Sequence, residues 1–272
     1  MSQARPLFAH GRGIPLLSLL LLTALQCSGD SFDPRALESQ GDAGRAALDL
    51  IRAHGGMSAF RALDDLEYRV QVERYDPAGA LSAVSEEVHR FEAAPPRRYI
   101  LRSTGSQVFE MGLLGEIGWV RVDGRPRLGV AATDQARGDL WIRSVLNRAP
   151  FSLADPDVSV TLAPDGKAII GSWAAAAENA GGSMVFIADQ ETGQLQRVVF
   201  RDPRLPPDAP MQAALVKKLR QEEGVWLVSQ WGLATSSAVM ASPDLARWRW
   251  NVKQTRTRNG FTDQMYGAGD TN

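Results

Sequence analysis

Between residues 66 and 73, apolar Leu66, Tyr68, Val70 and Val72 alternate with Glu67, Arg69, Gln71 and Glu73. A period of two places the apolar set on one face of a β-strand and leaves the other face wet. Further strand-like segments follow at 82–92, 98–103, 106–111, 116–122 and 125–130. After an interruption they resume at 157–162, 167–174, 183–188, 194–202, 211–221, 224–232 and 247–256. Turn residues punctuate them: Asp76-Pro77-Ala78-Gly79, Pro95-Pro96, Asp123-Gly124, Pro164-Asp165-Gly166 and the stretch from Asp189 to Gly193. In the last segment Trp248, Trp250 and Val252 alternate with Arg247, Arg249, Asn251 and Lys253.

A period near 3.6 occurs in two places. Ala46, Ala47, Leu50 and Ile51 fall at helical spacing, with His54 one turn on and Gly55-Gly56 as a stop signal; a short helix at 58–63 follows. From Thr133 to Asn147, Leu140, Trp141, Val145 and Leu146 share one side of a helix, closed by the loop at 149–156. Long strands joined by short turns predict a mainly β fold with a few helices. The sheet is antiparallel and strongly curved, a half-open β-barrel of about 10–11 strands covered by short helices. The expected domain runs over 43–260, preceded by a polar, flexible tether at 27–42 and followed by a polar tail at 261–272. Ten or so long strands outrun the cover that short helices supply, so a partly filled apolar hollow is expected on the concave side.

The first 26 residues read as a leader. Arg5 and Arg12 precede a nearly unbroken apolar run from Ile14 to Leu25, the length of a signal-peptide core and too short to span a membrane. Export is the implied destination. The sole cysteine, Cys27, stands directly after it. The segment resembles bacterial lipoprotein signals, with Leu22-Thr23-Ala24-Leu25-Gln26 before the cysteine and Gln26 where such signals carry a small residue. That resemblance implies diacylglycerol on Cys27, a membrane reached through the lipid anchor, and the outer membrane as the site, since Ser28 rather than Asp follows. The alternative is a secretory signal cleaved near Gly29, which yields a soluble periplasmic protein.

The 30 basic residues fall to 28 once Arg5 and Arg12 leave with the leader, against 31 acidic ones, a net charge of −3. That balance gives no electrostatic case for nucleic acid. With no cysteine beyond Cys27 there is no disulfide framework and no thiolate metal site. His54 reads as a cation in the last turn of a helix, and His89 as a strand residue opposite Val88. Neither belongs to a spaced metal motif, so no metal and no cofactor are expected. Adjacent acids such as Glu86-Glu87 read as solvated charge. No Gly-x-Ser-x-Gly turn is present around Ser106 or Ser183.

Three further features carry a family resemblance. They are Ala53-His54-Gly55-Gly56 followed by Phe60-Arg61-Ala62-Leu63, the segment Pro150-Phe151-Ser152-Leu153-Ala154-Asp155-Pro156, and Asp189 to Gly193 opening the strand Leu195 to Arg201. Together they resemble the LolA/LolB-like, outer-membrane lipoprotein-sorting-like superfamily, in its exported bacterial branch. The resemblance implies a half-open barrel closed by helices, an apolar cavity for acyl chains, and no catalytic centre. The partner it implies is a lipid or an acylated lipoprotein, held by a monomer. Trp141 and Phe151 then become lid candidates, and Val70, Phe186, Trp248 and Trp250 wall candidates. The same fold used as a non-catalytic interaction or scaffold module is the alternative.

Overall fold

A computed structural model describes residues 32–94, 98–114, 117–127, 129–174, 182–201, 208–235 and 246–266. Phe32–Asn272 forms one compact unit. The expected leader, Cys27 and the start of the expected tether lie outside the described residues.

Thirteen strands make one antiparallel sheet. They are β1 (Asp65–Tyr75), β2 (Leu81–Glu92), β3 (Arg98–Thr104), β4 (Val108–Leu114), β5 (Ile117–Val122), β6 (Arg125–Arg127), β7 (Val158–Leu162), β8 (Ala168–Trp173), β9 (Ser183–Ala188), β10 (Leu195–Phe200), β11 (Gln212–Glu222), β12 (Val225–Thr235) and β13 (Trp248–Thr257). The spatial order is 6-5-4-3-2-1-13-12-11-10-9-8-7. Two meanders therefore run outward from the central β1–β13 pair, and among the described residues β6 and β7 form the two edges. The sheet is an open, curved half-barrel. Thirteen strands exceed the expected 10–11 because the short edge segments also join the ladder.

The helices are α1 (Pro34–Glu38), α2 (Gly41–Ala53), α3 (Met57–Arg61), α4 (Val130–Asn147) and α5 (Asp263–Tyr266), with a 3-10 turn at Phe151–Ala154. The expected tether is thus already structured from residue 34. Asp33 caps α1 by accepting the Arg35 N–H at 2.9 Å, Pro34 opens the helix, and Leu37 is buried. α2 turns Ala43, Ala47, Leu48, Leu50 and Ile51 inward and packs over β7 and β8.

α4 lies over β3, β4 and β5. It comes close because Gly118 leaves room: a Cβ there would sit 2.7 Å from the Thr133 carbonyl oxygen. Together α4 and the 3-10 turn carry the chain from edge β6 to edge β7 across the concave side. On that side Leu66, Tyr68, Val70, Phe91, Tyr99, Phe186, Val198, Trp231 and Trp250 join the helices in one core. Each large side chain so buried contributes roughly 1.5–3 kcal/mol.

The expected polar tail begins with packed residues. The Asp65 carboxylate accepts the backbone N–H of Asn259 (2.5 Å) and of Phe261 (2.9 Å), and Trp119 Nε1 donates to the Tyr266 carbonyl at 2.8 Å. Tyr266 is fully buried. The chain after β13 is therefore strapped to the sheet as far as α5.

Candidate functional site on the concave face

Residues directly opposite one another on neighbouring strands share a face. The register therefore defines a row that crosses half the sheet: Arg74, Trp248, Leu233, Ala214, Val198, Phe186 and Ile169. Exposure falls along it. Trp248 is 39% exposed, Leu233 is partly buried, and Ala214, Val198 and Phe186 are closed to solvent. Arg74 stacks over Trp248 at 4.6 Å. Two residues along β13, Trp250 lies opposite Val72 and Trp231, and Arg143 of α4 stacks over it at 4.7 Å.

Five of the six sequence-predicted residues are thus buried on this face or on its cover. Val70 and Trp250 belong to the central strands and Phe186 to β9, while Trp141 and Phe151 lie on the crossing segment. Trp141 meets Trp173 of β8 edge-to-face at 5.8 Å, and Trp173 in turn lies 6.3 Å from Phe186. Phe151 stacks flat on Phe60 of α3 at 4.0 Å, with His54 edge-on at 6.2 Å. α4 therefore reaches both flanks of the half-barrel. Trp248 stands apart from the other five, at an open mouth.

Beside Trp250 lies a buried polar network that sequence reasoning missed. Glu87, expected as solvated charge, points inward together with His89, and Val88 lies on the opposite face. His89 Nε2–H donates to Glu87 Oε2 at 2.8 Å. Its Nδ1 accepts from the Tyr99 hydroxyl at 2.6 Å and faces Asn147 Nδ2 at 2.9 Å, while Asn147 also donates to Tyr99 Oη at 2.6 Å. Arg143 closes the set with 2.6 Å to Glu87 Oε2. Arg143 and Asn147 are four residues apart, hence on one face of α4. The network ties that helix to β2 and β3.

Its protonation states follow from these partners. Burial alone would raise the Glu87 carboxyl, but the Arg143 charge and the His89 hydrogen bond hold it down at about 2. Burial pushes His89 below its ordinary value against the opposing pull of Glu87, and Arg143 adds to the lowering. Burial also raises the Tyr99 hydroxyl well above the usual range. Both ring nitrogens of His89 are engaged, so the group works as a tie and offers no free position for proton transfer.

His54 is a second tie, and not the helix-end cation the sequence suggests. Its Nδ1–H donates to the Trp226 carbonyl at 2.7 Å, and its Nε2 accepts the Leu195 N–H at 2.9 Å. It is fully buried, and burial lowers its pKa against the raising effect of the Trp226 carbonyl. The neighbouring Gly55 has φ +106°, and a Cβ there would meet the Gly224 carbonyl oxygen at 2.5 Å. The motif Ala53-His54-Gly55-Gly56 therefore fastens the end of α2 to β10 and β12.

Several buried donors on this face or its cover meet no hydrogen-bond partner among the described residues: Nε1 of Trp141, Trp173, Trp231 and Trp250, and the hydroxyl of Tyr68. An unanswered buried donor costs about 1–3 kcal/mol. Among the described residues, no three or more His, Cys, Asp or Glu side chains are placed to hold a metal ion, and no helix is long and apolar enough to cross a membrane.

No protein-family model matches the chain, and no curated protein does. Solved structures do. A LolA superfamily protein from Nitrosomonas europaea superposes with a TM-score of 0.54 at 11% identity, covering 81% of this chain and 97% of that one. The two chains share a fold. A DUF1329 family protein from Desulfovibrio piger matches with a TM-score of 0.50 at 12% identity, over 82% of this chain and 96% of that one. A putative outer membrane lipoprotein-sorting protein domain from Vibrio parahaemolyticus reaches 0.48 at 10% identity, over 79% and 97%. At these identities the LolA-like likeness is one of fold.

Proposed function

We propose that the protein binds an acyl chain between its concave face and α4, with α4 and the 3-10 turn as the part that moves. The observation that carries this reading is the apolar row from Trp248 to Ile169, exposed at one end and covered by helices at the other. Burying a sixteen-carbon chain stabilises a complex by on the order of 10 kcal/mol. A binder that also releases needs a closed state of comparable free energy, since a ligand shifts populations only through differential affinity. The packed interior supplies that competing state. The seat of α4 supplies the means of opening, because water replaces the hydrogen bonds of Arg143 and Asn147 when the helix lifts. The two sheet edges, unpaired among the described residues, leave the half-barrel free to widen.

Attachment through Cys27 belongs to the same reading, and would hold the half-barrel near the outer membrane where lipids are exchanged. Cells grown with labelled palmitate should label the wild type and not Cys27→Ala; an unlabelled wild type removes the anchor. A second reading, a non-catalytic interaction module, is favoured by one observation: Val70, Trp141, Phe151, Phe186 and Trp250 fill the concave side themselves.

Native mass spectrometry of the chain purified from a bacterial envelope separates the two. Acyl binding predicts a co-purifying lipid that is lost in Trp248→Asp, a substitution at a site exposed enough to tolerate it. A clean apo mass in repeated preparations favours the interaction module.

A further inference from the structure

The mouth of the concave row carries a charge that its neighbours leave unanswered. Arg74 lies on the concave face, directly opposite Trp248 and Ala83, with its guanidinium over the indole. Among the described residues no carboxylate comes within ion-pair distance of it; its neighbour Glu73 instead holds the Tyr75 hydroxyl and the Asn251 amide. Arg143, the next guanidinium inward, is already neutralised by Glu87. A planar five-donor fork at an open mouth matches a phosphate or carboxylate.

One row further in, Trp250 and Trp231 stand side by side, each with a buried Nε1–H that meets no acceptor among the described residues. An indole N–H only donates. Residues two apart on a strand lie about 7 Å apart, the scale that separates a phosphate from the ester groups of a glycerolipid. In the neighbouring row that starts at Trp248, the side chains past the indole are hydrocarbon or aromatic from Leu233 to Ile169. Crossing from β13 to β9 spans four strand intervals, about 19 Å along the sheet, the scale of an extended long acyl chain.

We propose that the ligand class is an acyl ester beneath an anionic headgroup. Arg74 takes the anion with the Trp248 ring beneath it, the indole N–H groups of Trp250 and Trp231 take ester oxygens, and the chain runs toward Phe186. This rests on the reading that an acyl chain occupies the concave face, and it names what that chain is attached to.

The test uses the chain expressed with its own leader and four probes below their micellar concentrations. They are 1-palmitoyl-lysophosphatidylglycerol, its hexadecyl ether analogue, neutral monopalmitoylglycerol, and inorganic phosphate. Arg74→Gln should weaken the anionic ester about tenfold and leave monopalmitoylglycerol unchanged, and Arg74→Lys should recover much of the loss. The wild type should prefer ester over ether about tenfold, Trp250→Phe should erase that preference, and indole ¹H–¹⁵N signals should shift with the ester and not with the ether.

Equal loss of charged and neutral ligands in Arg74→Gln, or no loss of either, overturns the headgroup assignment, as does ether binding equal to ester in the wild type. Should Trp250→Phe fail to fold, the wild-type ester–ether comparison still decides the ester half. Saturable binding of phosphate alone that displaces the anionic ester would make this a free-anion site and also overturn it. If no acyl probe binds the folded wild type, the acyl-chain reading itself fails, a result distinct from the loss of headgroup selectivity.

Discussion

Replacing Arg143 with methionine removes the guanidinium that pins α4 to Glu87 and leaves the aliphatic stem over Trp250. Arg143 is 15% exposed and Glu87 9% exposed, so the orphaned carboxylate stays buried with only His89 beside it. Breaking a buried pair in this way costs about 3–5 kcal/mol. A second route gives a similar figure. A carboxyl held at about 2 instead of 4.5 contributes roughly 3 kcal/mol at neutral pH, at about 1.4 kcal/mol per pH unit. The sign is that of a depressed acid: the stabilisation is fully present above pH 5 and is lost as the pH falls toward 2. Urea titration followed by far-ultraviolet circular dichroism should therefore find Arg143→Met about 3 kcal/mol less stable than wild type at pH 7, and only about 1 kcal/mol less stable near pH 3. Adding Glu87→Gln should recover most of the loss, because a buried pair replaced as a unit is close to neutral. Hydrogen exchange should accelerate in the second half of α4. A loss under 1 kcal/mol that ignores pH, with unchanged exchange in α4, would refute the claim that this pair seats the helix.

Two further outcomes follow from the ties around the site. His54 and His89 are both held neutral, with folded pKa values below 6.5. The unfolded chain therefore takes up more protons below that value, and stability should fall as the pH drops from about 7 to 5, by at most about 1.4 kcal/mol per pH unit for each histidine. A flat urea-midpoint profile over that range contradicts both assignments. Gly55→Ala places a Cβ at φ +106° and 2.5 Å from a carbonyl oxygen, whereas Gly79→Ala meets only open space at φ +84°. Thermal melts should show Gly55→Ala as the more damaging by well over about 1 kcal/mol, and equal melting points would remove the role given to the motif.

The strands and turns were legible because alternation and Gly/Asp/Pro punctuation are local signals, and every expected strand segment overlaps an observed strand. What local signals do not carry is the partner. In β2 the period of two was right and His89 does lie opposite Val88, but Glu87, read as solvated charge, is buried beside His89 because Arg143 and Asn147 answer them from a helix more than fifty residues later. The available clue was the pairing of two patterns, Arg143 and Asn147 four apart beside the apolar Leu140, Trp141, Val145 and Leu146, and Glu-x-His on one strand. His54 shows the same limit, since its acceptor and donor are backbone groups of Trp226 and Leu195. The start of α1 was readable, because Asp33-Pro34 is a cap followed by a first-turn proline, but the polar composition around it suggested a tether. Trp248 and Trp250 share a face as their spacing predicts; that one lies at the mouth and the other in the core depends on where α4 ends its cover.

Where the acyl chain lies can be measured directly with a palmitoyl lipid bearing a diazirine midway along its chain. After photolysis and peptide mapping, saturable adducts should fall on β9, β10 and α4, around Phe186, Val198 and Trp141, and excess unlabelled lipid should suppress them. Adducts confined to the rim near Trp248 or to the outer face of the sheet, or no saturable labelling at all, would contradict an acyl site on the concave face.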